Sequence, residues 1–116
     1  MAAAVCHCKN CQRQSGGAFS VNLIVEEARL GIVGELATFE DLGESGNKVY
    51  RRFCSTCGSP ILSVLGGMPG VVALKAGTLD DVSGIQPSLQ VWCDSKQNWL
   101  NFSPEMPGFP KSPPAN

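Results

Sequence analysis

Short apolar runs broken by glycine- and proline-rich turns recur along this chain, and no stretch carries the three-to-four spacing of a long amphipathic helix. Val21-Asn22-Leu23-Ile24-Val25 is β-branched and mostly apolar and predicts a strand. The run from Gly31 to Phe39 mixes glycines with Ile32, Val33, Leu36 and Phe39, which predicts a strand with a bend or bulge. Asp41 to Asn47 has the composition of a turn, and Val49-Tyr50-Arg51-Arg52-Phe53 predicts a strand running straight into Cys54. Ile61 to Leu65 and Val71 to Ala76 flank Gly66-Gly67-Met68-Pro69-Gly70 and read as a hairpin. Leu89 to Cys93 is the last predicted strand, after a turn at Gly77 to Asp81. Gln12 to Gly17 reads as a short helical turn opening into a loop, and Glu26 to Leu30 as a connection. From Ser103 on, Pro104, Pro107, Pro110, Pro113 and Pro114 argue against regular pairing, so the tail is expected to wrap the surface or stay disordered. The expectation is an all-β fold of short strands.

Composition narrows the function classes. The chain has 116 residues, enough for one domain with a modest core, near the size where a metal staple helps. Lys and Arg number 9 against 10 Asp and Glu, with no basic run, so no nucleic-acid partner is expected. No apolar stretch approaches the roughly 20 residues of a membrane span, and none is expected. Met1 to Val5 lacks the basic start and long apolar core of a secretory signal, which points to a cytoplasmic protein with reduced thiols.

The chemistry lies in the cysteines. Cys6-His7-Cys8-Lys9-Asn10-Cys11 joins a C-x-C to a C-x-x-C, and Cys54-Ser55-Thr56-Cys57-Gly58 is a second C-x-x-C knuckle. Two residues between cysteines let a tight turn aim both sulfurs at one point, which suits tetrahedral zinc. Two arrangements fit the spacing. Cys8, Cys11, Cys54 and Cys57 can close around one ion as a structural staple. Alternatively Cys6, Cys8 and Cys11 bind one zinc and leave its fourth position open, as catalytic sites do. Alternation along an extended segment turns His7 away from Cys6 and Cys8, so His7 is expected behind the sulfurs or on the surface rather than as a ligand. Cys93 has no partner in spacing and reads as a small buried hydrophobe. Asp80 and Asp81 read as turn residues, and Trp92 and Trp99 as core or cover.

Cys6-His7-Cys8-x-x-Cys11 followed by Gln-Arg-Gln-Ser-Gly resembles the cysteine motif of the glutathione-dependent formaldehyde-activating family, whose domain centromere-protein-V-like proteins share. The likeness continues through Arg52-Phe53-Cys54-x-x-Cys57-Gly58-Ser59-Pro60 and Ala76-Gly77-Thr78-Leu79-Asp80-Asp81 to Gln90-Val91-Trp92 and Trp99. It implies a β-tent of short antiparallel sheets organised around cysteine zinc sites, here residues 1–103 as one domain followed by a proline-rich tail at 104–116. It assigns Cys6, Cys8 and Cys11 to a catalytic zinc and Cys54 and Cys57 to half of a structural one. The other half is normally an upstream C-x-C-G, so the resemblance leads us to expect that site incomplete and the family's first strands missing. The implied reaction condenses glutathione with formaldehyde to S-(hydroxymethyl)glutathione, a carbon–sulfur lyase step. Arg13, Ser15 and Gly16 then stand where the carboxylates or backbone of glutathione could be met. The alternative is a non-catalytic module that binds glutathione, another thiol or a protein. Uncovered apolar surface would favour a homodimer.

Overall fold

The computed structural model describes residues 2–112; Pro113 and Pro114 of the predicted tail lie outside that range. The strands are β1 (Ala2–Cys6), β2 (Ser20–Glu26), β3 (Leu36–Leu42), β4 (Lys48–Cys54), β5 (Pro60–Leu65), β6 (Val71–Lys75) and β7 (Leu89–Val91). One helix, α1 (Lys9–Ser15), follows β1. The all-β expectation holds, and the strands join in a single seven-stranded ladder of order β3-β4-β5-β6-β2-β1-β7. Every neighbouring pair is antiparallel except β1 with β7, which is parallel.

Pairing register sorts the side chains onto two faces, because directly opposed residues share a side and successive ones alternate. Ala3 lies opposite Leu23, Leu23 opposite Leu74, and Leu74 opposite Leu62. This apolar face carries the core of Ala3, Leu23 and Ala76, against which Val21, Val25, Leu79 and Ile85 pack. Leu62 is 1% exposed there. Leu62→Ala is expected to lower the unfolding free energy by about 2–3 kcal/mol, read as a reduced midpoint in chemical denaturation. On the other face the same register aligns Cys6 with Ser20, Asn22 with Lys75, and Ser63 with both Ala73 and Arg51. A polar belt thus crosses the middle of the sheet, and α1 lies along it. Lys9 N donates to Glu44 Oε1 at 2.9 Å and Asn10 Nδ2 to Leu42 O at 2.8 Å, which tie the helix to the far β3–β4 turn.

Three predicted segments came out differently. The apolar residues of Gly31 to Glu35 form no strand: Val33 is fully exposed, Gly34 has φ 103°, and pairing begins only at Leu36. Asp41, expected in a turn, pairs within β3 opposite Val49, with its carboxylate 2.8 Å from Arg51 Nε. The tail does pair in part. Gln90 N donates to Pro107 O, Phe109 N to Gln90 O, Cys93 N to Phe109 O and Asp94 N to Pro110 O, so this stretch runs beside β7. A proline lacks a donor but keeps its carbonyl, and here Pro107 and Pro110 serve as acceptors.

Candidate metal centre

The centre is built where β1 gives way to α1. Cys6 ends the strand, and Cys8 caps the helix in an extended conformation (φ −60°, ψ 152°). The Cys11 amide donates to Cys8 Sγ at 3.3 Å, so the x-x spacer folds back as the C-x-x-C motif predicts. The sulfurs of Cys6, Cys8 and Cys11 all lie within 4.8 Å of one another, and all three residues are buried. Tetrahedral zinc with bonds of about 2.3 Å places its sulfur ligands about 3.8 Å apart, so this donor set fits zinc with small side-chain adjustment. Among the described residues no other His, Cys, Asp or Glu joins the group. The closed staple of Cys8, Cys11, Cys54 and Cys57 is therefore not what the chain builds.

His7 faces away from the sulfurs, as alternation predicts, but it is fully buried rather than superficial. Its Nε2 is 2.9 Å from Gln90 Oε1, its ring meets Phe19 and Phe102 edge-on, and Nδ1 has no protein partner. Gln12 braces the knuckle from behind, its Nε2 donating to His7 O at 2.7 Å and Ser95 O at 3.0 Å. Val91 and Trp92 pack against the three cysteines. Trp92 has φ 57°, a conformation rare for a bulky side chain, and this backbone turn accompanies the indole's seat beside the sulfurs. Trp99, expected as core or cover, is instead exposed, with Nε1 donating to Gln97 Oε1 at 2.6 Å.

The polar belt supplies charge that the sequence reading passed over. Lys75 is 9% exposed, and its Nζ donates to Asn22 Oδ1 at 2.9 Å; Asn22 Nδ2 donates in turn to Ser20 Oγ at 3.1 Å. Arg51 is buried as well, its Nε donating to Asp41 Oδ2 at 2.8 Å and its Nη1 to Gln14 Oε1 at 2.9 Å. Ser63 Oγ, between them in register, is buried without a partner. The available signal was a lone polar residue inside an apolar strand: Asn22 in β2, Ser63 in β5 and Lys75 ending β6.

Without metal the three sulfurs share charge unequally. Hydrogen bonds from Cys6 and Cys8 pull the Cys11 pKa far below the usual thiol range, helped by Lys75 and Ser20 and opposed by burial. Hydrogen bonding to Cys11 pushes the Cys6 pKa well above that range, and bonding to Cys8 and burial act the same way. Cys8 is raised mainly through its bond to Cys11, against a lowering bond from Cys6. Among the three, Cys11 is therefore the sulfur on which negative charge is favoured. Burial depresses the Lys75 pKa, with the negative sulfurs opposing. Burial also works against the Arg51 charge, but Asp41 and Cys11 outweigh it and raise its pKa.

The remaining sequence-predicted residues lie elsewhere. Cys54 ends β4 and Cys57 sits exposed in the following turn, with Sγ 3.1 Å from Ser59 Oγ. Bonding to Ser59 lowers the Cys57 pKa. Cys54 also lines a cavity of about 680 Å³ bounded by Ile32, Val33, Leu62, Leu74 and Leu79, which none of the three clustered cysteines lines. Arg13 is exposed on α1, while Ser15 Oγ bonds to Gln12 O and Gly16 caps the helix at φ 67°. Asp81 accepts from Ser83 N and Oγ, the turn role expected of it. Cys93 is half-buried and free.

Comparison with curated proteins returns no match. A family model described as glutathione-dependent formaldehyde-activating enzyme matches residues 1–95 of the 116, a span that takes in the cysteine cluster, the second knuckle and the polar belt. The chain belongs to the glutathione-dependent formaldehyde-activating enzyme family.

Proposed function

We propose that the chain condenses glutathione with formaldehyde to give S-(hydroxymethyl)glutathione, using a zinc ion held by Cys6, Cys8 and Cys11. The observation that carries this reading is three buried sulfurs within 4.8 Å of one another, with no fourth ligand among the described residues. A zinc ion held there would supply a position at which an incoming thiol is stabilised as thiolate. The chain's own residues supply the surroundings. Val91 and Trp92 wall the sulfurs from water, and Lys75 and Arg51 give the polar face a positive character that favours anionic reactants. Arg13, Ser15 and Gly16, at the exposed end of α1, are our candidates for glutathione's carboxylates and backbone. In the reaction glutathione's sulfur adds to the formaldehyde carbon and a C–S bond forms. The carbonyl π pair moves to oxygen, which takes up the proton the thiol gave up.

We assign Cys54 and Cys57 to a separate metal half-site and the protein to a reducing, cytoplasmic setting. The described cysteines are all free, and no helix among the described residues is long and apolar enough to cross a membrane. The burial of Cys6, Cys8 and Cys11 also favours a second reading, a module that binds a thiol without turning it over. The same condensation proceeds unassisted in water, so one assay separates the two. Product formation by zinc-loaded protein well above the buffer blank is the expected result. A rate equal to the blank, with measurable glutathione binding, selects the module.

A further inference from the structure

Lys75 is a buried ammonium without an acidic partner. It ends β6 at 9% exposure, and its one protein hydrogen bond goes to a neutral amide, Asn22 Oδ1. Among the described residues no carboxylate lies within ion-pair distance of it. Arg51 differs, since Asp41 pairs with it at 2.8 Å. A lysine has three N–H donors, and burying its charge against a single amide costs more than that one bond returns. Removal from water needs a compensating negative charge. The register shows where one is available. Lys75 faces Asn22, the next same-face residue on β2 is Ser20, and Ser20 faces Cys6.

Three thiolates and a divalent cation sum to one net negative charge, and the ammonium of Lys75 carries one positive charge. We infer that Lys75 is the counter-charge of the metal-loaded three-cysteine centre, a positioning residue that lets an anionic cluster be stable inside the sheet. The inference rests on the zinc reading of Cys6, Cys8 and Cys11. Arg51 also faces the cluster but shares its charge with Asp41, which leaves Lys75 as the buried cation without an acidic partner. Asn22, bonded to both Lys75 and Ser20, holds the ammonium on the side of the sulfurs.

The test compares Lys75→Met and Lys75→Arg with wild type. Zinc affinity is read by competition with a chromophoric chelator at fixed pH, and the metal-free proteins are unfolded in denaturant. One unit charge several ångströms away, at an effective dielectric constant of about 20, changes affinity by roughly tenfold to a hundredfold. Lys75→Met is therefore expected to bind zinc that much more weakly, and Lys75→Arg within a few-fold of wild type. Metal-free Lys75→Met should stay close to wild type in stability, since the burial cost it relieves offsets the attraction to the Cys11 sulfur that it loses. A merely structural lysine would give the reverse: unchanged zinc affinity and lost stability, which overturns the inference while leaving the zinc reading intact. Wild type that binds no zinc overturns both. Lys75→Gln, which keeps a donor for Asn22, carries the same comparison if the methionine variant does not fold.

Discussion

Zinc affinity is expected to rise about a hundredfold for each unit of pH through the neutral range, a slope of two protons rather than three. The sign follows from the sulfurs. Metal binding needs thiolates, and in the metal-free protein Cys6 and Cys8 are held as thiols by pKa values raised above the ordinary range. Each must give up a proton when zinc arrives, so binding strengthens as pH rises and weakens as it falls. Cys11 is different: its lowered pKa makes it a thiolate already, and it releases nothing in this window. Chelator competition at several pH values, or the protons released into weak buffer on zinc addition, measures the slope. A slope near three would mean that Cys11 is not the preformed thiolate, and a slope near zero that the cluster does not bind zinc through these sulfurs.

Cys8→Ser is expected to weaken zinc binding by about a hundredfold or more and to abolish metal-dependent glutathione binding, with little harm to the fold. Zinc sites of this kind bind with roughly 10–16 kcal/mol, so losing one ligand of a tetrahedral set removes about 3 kcal/mol. The choice of residue matters. Cys8 also caps α1, accepting from the Cys11 amide, and serine is among the best residues for that position. The substitution therefore removes a ligand while keeping the cap. Calorimetry of glutathione binding to wild type and variant makes the measurement; equal affinities would take the metal out of the mechanism.

The cysteine motifs and the β5–β6 hairpin were legible because their signals are local: a two-residue spacer in one case, a glycine and proline turn in the other. β1 was not, although it lies between β2 and β7 and carries Cys6. Its alanines have little intrinsic strand preference, and only the neighbours on both sides make it a strand. The tail's pairing was hidden for a related reason. Proline signals a missing donor, whereas Pro107 and Pro110 contribute carbonyls. The positive residues beside the sulfurs were legible in principle. Lys75 and Arg51 sit in strands with their charge turned onto the polar face, but only the register between β2, β4, β5 and β6 reveals that they share it with Cys6.

The parallel pairing of β1 with β7 also orders events during synthesis. Cys6, Cys8 and Cys11 leave the ribosome well before Gln90, which holds His7 and comes 83 residues after it. Until that late segment arrives, Val91 and Trp92 cannot shield the knuckle, and the nascent thiols stand open to oxidants and to any passing metal. A cell making this protein under oxidative or metal stress would therefore damage chains still being translated more readily than finished ones.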